Sequence, residues 1–175
     1  MTGLSMGKSL RLSGIVNDSI TDGPGLRLVI FAQGCALSCP GCHNPETHDP
    51  GGGYDCTIDE IVETAAGNPL LSGVTFSGGE PFMQAAAFAE TARRVKALSP
   101  RLTVITYTGY TWEELQELPG AKELLDASDF IVDGRFEQGR KSLELMYTGS
   151  KNQRFIDVKK TLGQGSVVLY YFSSV

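Results

Sequence analysis

Short apolar runs rich in β-formers, each closed by glycine and most followed by a helical pattern, set what this chain of 175 residues can fold into. Residues 26–33, LRLVIFAQ, stop at Gly34, and residues 73–79, GVTFSGG, run into adjacent glycines. Residues 102–109, LTVITYTG, and residues 129–134, DFIVDG, repeat the scheme. Runs of this length and composition are buried strands. Between them, residues 57–67, TIDEIVETAAG, carry a capping box at Thr57 and Glu60, with Gly67 past the end. Residues 82–98, FMQAAAFAETARRVKAL, make an amphipathic helix, and a second capping box at Thr111 and Glu114 opens another. AKELLDAS continues the helical pattern, RFIDVKKTL fits helix and strand equally, and residues 166–172, SVVLYYF, read as a last strand. Residues 135–152 are polar without a period and are expected to form a functional loop.

Strands alternating with helices predict an α/β fold with a mostly parallel sheet and a single domain spanning residues 1–175. A complete eight-unit βα barrel takes about 250 residues, so any barrel here has to be incomplete. In such sheets ligands bind where loops leave the carboxyl ends of the strands. The segment after residue 33, SGGEP, YTGY and VDGRF all fall at such ends and should meet on one face. A net charge of −5 offers no footprint for nucleic acid. No apolar run approaches the ~20 residues that cross a bilayer. The first residues, MTGLSMGKSLRLSGIV, lack a signal-peptide core, so a cytoplasmic, reducing location is expected.

The loop after the first of these strands, GCALSCPGCHNPETHD, holds Cys35, Cys39 and Cys42 in the spacing C-x3-C-x2-C. Three thiolates so close in sequence can hold three corners of a 4Fe-4S cubane and leave the fourth iron without a protein ligand. An open coordination position separates a catalytic metal from a structural one. The spacing matches neither the zinc knuckle nor the ferredoxin pattern. A four-cysteine site completed by Cys56, as in an electron carrier or a zinc-stabilised module, stays open at this point, beside the reading of Cys56 as a small core residue. SGGEP, residues 77–81, adds adjacent glycines that let main chain approach a ligand, and Glu80 adds a carboxylate able to receive an ammonium group.

The cysteine spacing after a strand, with Gly78, Gly79 and Glu80 at the end of the next one, resembles the radical S-adenosylmethionine superfamily. The blocks DGPGLRLVIFAQGCALSCPGCHNPETHD, FSGGEPF, TYTGYTWEEL, DFIVDGRF and GSKNQRFIDV, in this order, are similar to the glycyl-radical-enzyme activases within it. The resemblance implies an incomplete parallel (β/α) barrel open on one side. It implies a 4Fe-4S cluster on Cys35, Cys39 and Cys42, and S-adenosyl-L-methionine near Gly41, Cys42, His43, Gly78, Gly79, Glu80 and Thr108. Reductive cleavage of that cofactor to a 5′-deoxyadenosyl radical would then remove a hydrogen from a glycine of a partner enzyme. The implied partner is the glycyl radical subunit of an anaerobic ribonucleoside-triphosphate reductase, with pyruvate formate-lyase as the alternative, and a low-potential electron donor such as flavodoxin. Many superfamily members carry an aromatic residue just before the third cysteine, where this chain has Gly41; His43 is the candidate for the flat surface beside the adenine. Asp22–Gly25, Gly109, Asp133, Arg135, Asn152, Gln153 and Arg154 are weaker candidates, equally well read as turns and loop braces.

Overall fold

The computed structural model describes residues 8–173. The N-terminal expectation therefore lies partly outside the described residues, in residues 1–7. The fold is one seven-stranded mixed sheet in the order β3-β1-β2-β4-β5-β6-β7. Its strands are β1 (Ser9–Ser19), β2 (Arg27–Ala32), β3 (Tyr54–Thr57), β4 (Gly73–Gly78), β5 (Thr103–Tyr107), β6 (Phe130–Asp133) and β7 (Arg154–Asp157). The four inner strands, β2, β4, β5 and β6, run parallel. They are the four apolar runs expected from the sequence. Antiparallel partners flank them, β1 and β3 on one side and β7 on the other.

Among the described residues the α-helices are α1 (Ile58–Ala66), α2 (Ala85–Leu98), α3 (Trp112–Glu117), α4 (Ala121–Ala127) and α5 (Val158–Gln164). Both capping boxes form: the Thr57 and Thr111 side chains accept from the Glu60 and Glu114 amides, and each glutamate accepts from its cap residue's own N–H. Such a cap stabilises a helix by about 1 kcal/mol. The sheet alternates faces by the two-residue period of a strand. Leu28, Ile30, Val74, Phe76, Val104 and Ile131 share one large core with Ile61, Phe88, Ala92, Val95 and Leu124 of the helices. Each fully buried side chain of this kind contributes about 1.5–3 kcal/mol. Tight backbone approach in the sheet also fixes Gly73, whose missing Cβ would lie 2.0 Å from the Thr103 carbonyl oxygen.

Three expectations need correction, and one ambiguous segment resolves. The run at residues 26–33 is the second strand: β1 precedes it, with register shifts between Leu12 and Gly14 and between Val16 and Ser19. Residues 82–98 are not one helix. A 3-10 turn, Pro81–Gln84, comes first, because the Glu80 carboxylate caps the Phe82 N–H there, and α2 starts at Ala85. RFIDVKKTL resolves into β7 and then α5, with Asp157 accepting from the Lys160 N–H as the cap between them. SVVLYYF is not a strand of the sheet. Gly165, at φ +72°, turns the chain back after α5, and the tail meets β7 at one bridge, Ile156 with Leu169. Two main-chain bonds flank that bridge, Asp157 N–H to the Val168 carbonyl (2.9 Å) and Tyr170 N–H to that of Phe155 (2.8 Å), and aromatic packing adds to them: the rings of Phe172 and Phe155 lie edge-on at 5.0 Å.

The opposite face of the sheet carries Arg27 of β2, which is fully buried. Its Nε donates to Thr75 Oγ1 (2.7 Å), Nη1 to Thr103 Oγ1 (3.1 Å) and the Pro24 carbonyl (3.3 Å), and Nη2 to the carbonyls of Val74 (2.6 Å) and Thr103 (2.9 Å). All five guanidinium N–H groups are thereby used on uncharged acceptors. Burial lowers its pKa to about 10, which still leaves it charged at neutral pH. One side chain thus ties β2, β4 and β5 to the DGPG turn. A Cβ on Gly23 would lie 2.7 Å from Arg27 Cδ, so that glycine makes room for the arginine.

Candidate active site

The loops leaving β2, β4, β5 and β6 converge, as their place after parallel strands predicts. They line one cleft of about 360 Å³ that takes in Cys35, Cys39, Cys42, His43, Gly78, Gly79, Glu80, Thr108, Gly109, Gly134 and Phe136. The cysteine loop is pinned where it leaves and where it returns. Gln33, buried, donates from Nε2 to the carbonyls of Glu46 (3.1 Å) and Asp49 (2.6 Å). Beside it the Gly34 N–H donates to the Thr47 carbonyl (2.7 Å) and the Cys35 N–H to that of His48 (3.2 Å). Between these ties the chain turns tightly, with Ser38 at φ +46° and Gly41 at φ +72°. All three thiols are half-buried. Desolvation pushes the Cys35 thiol above its ordinary pKa. The Asn44 N–H points at Cys42 Sγ, 3.4 Å away, a donor of the kind that tunes a bound cluster.

Gly41 accounts for the missing aromatic residue. Its left-handed backbone disfavours a bulky side chain, and a Cβ there would lie 2.7 Å from Gln138 Oε1. An aromatic pair is present nearby: the His43 and Phe136 rings lie 4.5 Å apart, tilted by 48°.

The SGGEP segment plays a different part from the one its composition suggests. The Gly79 and Glu80 N–H groups donate to the carbonyls of Ala32 and Gly34, each at 2.8 Å, so neither faces a ligand. A Cβ on Gly78 would lie 2.7 Å from the Ala32 nitrogen, and one on Gly79 2.3 Å from the Gly34 oxygen. Glycine is needed here because β4 exits against the backbone of β2. Glu80 is fully buried and its carboxylate is engaged. It accepts from Phe82 N–H (3.1 Å), from the Thr108 hydroxyl (2.9 and 3.0 Å) and from Gly109 N–H (2.9 Å). It therefore locks the exit of β4 to the exit of β5. Thr108 is buried with it. A Cβ on Gly109 would press on the Leu37 Cδ1 methyl of the cysteine loop, which would have to shift.

Burial raises the Glu80 pKa to about 7 against these hydrogen bonds. The folded state then holds the proton more tightly than the unfolded chain, whose carboxyl titrates near 4.5. The corresponding stability is complete below pH 4.5 and is lost as pH rises through about 7. Across that range the unfolding free energy should fall by about 3 kcal/mol more in the wild type than in Glu80→Gln. Urea denaturation of both proteins at several pH values reads this; a difference that does not change with pH contradicts it.

The weaker candidates divide. Gln153 reaches the cleft, while its amide accepts from the Gly149 and Ser150 N–H groups and donates to the Gly134 carbonyl. Asp133 braces structure: it accepts from the Trp112 N–H (2.7 Å) and pairs with Arg154, which also pairs with Glu113. Arg135 pairs with Glu114, not with Asp133. Asn152 donates to the Arg135 carbonyl. Asp22 lines the cleft, as do Phe31, Ser77 and Tyr107, which sequence reasoning passed over. A signal for the last three existed. They hold the outward-alternating positions at the ends of three parallel strands, and Phe31 pairs with Ser77 in register.

Cys56 lies elsewhere. It sits in β3 opposite Leu10, 7% exposed, within the helix-side core. Burial pushes its thiol up to about 11, and its place in the core keeps it out of the cleft that the three loop thiols line. Cys56→Ala is expected to cost about 1 kcal/mol of stability and to leave iron and sulfide content after anaerobic reconstitution unchanged. Loss of the iron would make Cys56 a ligand. Among the described residues no three Cys, His, Asp or Glu side chains gather as a single metal ion requires. A cubane sets its ligands on separate irons, and three half-buried thiols around one cleft suit that donor pattern.

A fold that brings three thiols and a glycine turn together at the ends of parallel strands defines an iron–sulfur protein. Residues 21–156 match the family described as a 4Fe-4S single cluster domain. The anaerobic ribonucleoside-triphosphate reductase-activating protein of Enterobacteria phage T4 is 32% identical over 137 residues, covering 76% of this chain and 85% of the relative. The protein of the same description from Vibrio cholerae is 34% identical, covering 77% and 89%. The pyruvate formate-lyase-activating enzyme of Clostridium pasteurianum is 34% identical, covering 62% of this chain and 47% of the relative. This chain belongs to the family of anaerobic ribonucleoside-triphosphate reductase-activating proteins.

Proposed function

We propose that this chain is a radical S-adenosylmethionine enzyme that activates an anaerobic ribonucleoside-triphosphate reductase by generating a glycyl radical on it. The observation that carries this reading is the meeting of Cys35, Cys39 and Cys42 with the β4 and β5 exits in one cleft. Cys35, Cys39 and Cys42 would hold a 4Fe-4S cluster through their thiolates, leaving one iron open. When bound together, cluster and S-adenosylmethionine supply reductive carbon–sulfur cleavage and a 5′-deoxyadenosyl radical. The chain's own residues position and enclose. Since the Gly79 and Glu80 amides are engaged, carbonyl oxygens of Gly78 and Gly79 are the acceptors we assign to the cofactor's ammonium group. His43, next to Cys42 and with its ring tilted against that of Phe136, is assigned to the adenine side. Glu80 and Thr108 act on the cofactor indirectly, by fixing the backbone of Gly109.

We read the architecture as a single domain and an incomplete (β/α) barrel. The open sheet supports this, since its outermost strands, β3 and β7, do not pair with each other. A gap there gives a partner's glycine segment a way in. Flavodoxin is the proposed electron donor and the cytoplasm the proposed location; among the described residues no helix is long and apolar enough to cross a membrane. Pyruvate formate-lyase is the second candidate partner, supported by a relative of which this chain spans less than half. Anaerobic reconstitution followed by incubation with S-adenosylmethionine, reductant and each candidate enzyme separates the two. A glycyl radical signal by electron paramagnetic resonance is expected with the reductase; a signal with pyruvate formate-lyase alone would reverse the assignment.

A further inference from the structure

One wall of the cleft comes from residues 134–153, which contain one 3-10 turn, Gln138–Arg140, and an isolated bridge between Lys141 and Ser150. Gly134, Phe136, Gly149 and Gln153 of this segment face the cleft. Its base is held by the Gln153 amide and by Asn152. Its outer turn projects into solvent, with Leu143 94% and Met146 55% exposed. That turn reaches the sheet through Tyr147. The Tyr107 hydroxyl, from the end of β5, donates to the Tyr147 carbonyl at 2.6 Å. The Tyr147 ring lies 4.9 Å from Phe172 and 6.4 Å from Phe155. Tyr147 itself stands at φ +62°, a left-handed conformation that a bulky residue adopts only where its surroundings hold it.

We propose that Tyr107 is a positioning residue whose hydroxyl, by holding the Tyr147 carbonyl, keeps this wall closed over the cleft and so couples cofactor cleavage to hydrogen removal from the partner's glycine. The inference rests on the function proposed above. Tyr107 lines the cleft, yet its O–H is directed at the wall. Burial raises the phenol's pKa well above its ordinary value, so it remains a donor throughout the physiological range. A wall closed by one hydroxyl and an aromatic contact can open for an entering peptide and reclose on it. Without the hydroxyl, the strained Tyr147 backbone relaxes and the open form gains population. A radical formed in an open cleft then takes hydrogen from donors other than the glycine.

Tyr107→Phe tests this, because phenylalanine keeps the ring and removes only the bond. Hydrogen–deuterium exchange of peptides covering residues 141–150 is expected to speed up by roughly five- to tenfold, the loss of one hydrogen bond's worth of closing equilibrium. The ratio of 5′-deoxyadenosine formed to glycyl radical formed should rise several-fold in the reconstituted variant. A merely structural role would lower the melting temperature and reduce both products together, leaving the ratio alone. Unchanged exchange, or an unchanged ratio, overturns the proposal. If the wild-type protein cleaves no S-adenosylmethionine, the functional reading fails, while the exchange comparison still decides whether Tyr107 holds the wall.

Discussion

Arg27→Ala should lower the unfolding free energy by about 3–5 kcal/mol, the upper part of the range for single substitutions that open a cavity and orphan buried polar groups. The size follows from what the guanidinium does. It gives hydrogen bonds to two carbonyls and a hydroxyl of β4 and β5, to Thr103 Oγ1 and to the DGPG turn, with no solvent to take its place. Truncation leaves those acceptors unpaired and opens a cavity, two penalties that add. Arg27→Lys should recover only part of the loss, because an ammonium is a point donor that does not span three strands. In a chain of this length such a change lowers the melting temperature by roughly 10 °C or more. The loss should be felt in the cleft as well. Thr75 Oγ1, which accepts from Arg27, donates to the Asp22 carbonyl at 2.8 Å, and Asp22 lines the cleft. Calorimetry of the two variants checks the ordering; a loss under about 1 kcal/mol for Arg27→Ala would mean that the strands hold together without this brace.

The second large effect is on chemistry. Cys35→Ala, Cys39→Ala and Cys42→Ala are each expected to reduce 5′-deoxyadenosine formation to background under strong reductant, with iron content falling in parallel. Each removes one of three protein ligands, and an iron–sulfur cluster with two has no stable hold in a cleft open to solvent. Stability should change little by comparison, since the three side chains are half-buried in a loop fixed by Gln33 and by main-chain bonds to Thr47 and His48. The Cys56→Ala protein is the internal control. Retained cleavage in any one of the three loop variants would break the ligand assignment.

What the sequence disclosed and what it hid both have physical reasons. The inner strands were legible because both of their faces are covered, which makes them continuous apolar runs. The capping boxes were legible because they are local. β1 was not, since only Leu10, Leu12 and Ser19 of its eleven residues are buried and two register shifts break its period. β3 was not either, since of its four residues only Cys56 is buried, which leaves no apolar run to read. The tail misled in the other direction: VVLYYF has strand propensity, but its aromatic rings find a cluster with Phe155 and Tyr147 beyond the sheet's edge. At the site, the spacing of the cysteines carried its own meaning. Gly78 and Glu80 did not, because adjacent glycines and a carboxylate read the same whether they meet a ligand or another strand. Here they meet Ala32, Gly34, Thr108 and Gly109. Arg27 escaped notice inside an apolar run, where a single charge looks like an exception until its five acceptors are seen.

The central claim is that three cysteine ligands leave a site on iron for S-adenosylmethionine. Electron paramagnetic resonance of the reduced, anaerobically reconstituted protein, recorded with and without S-adenosylmethionine, addresses it directly. A 4Fe-4S signal whose g values and line shape change on adding the cofactor is the predicted result. A signal indifferent to it, or a protein that takes up zinc and no cluster, would contradict the account.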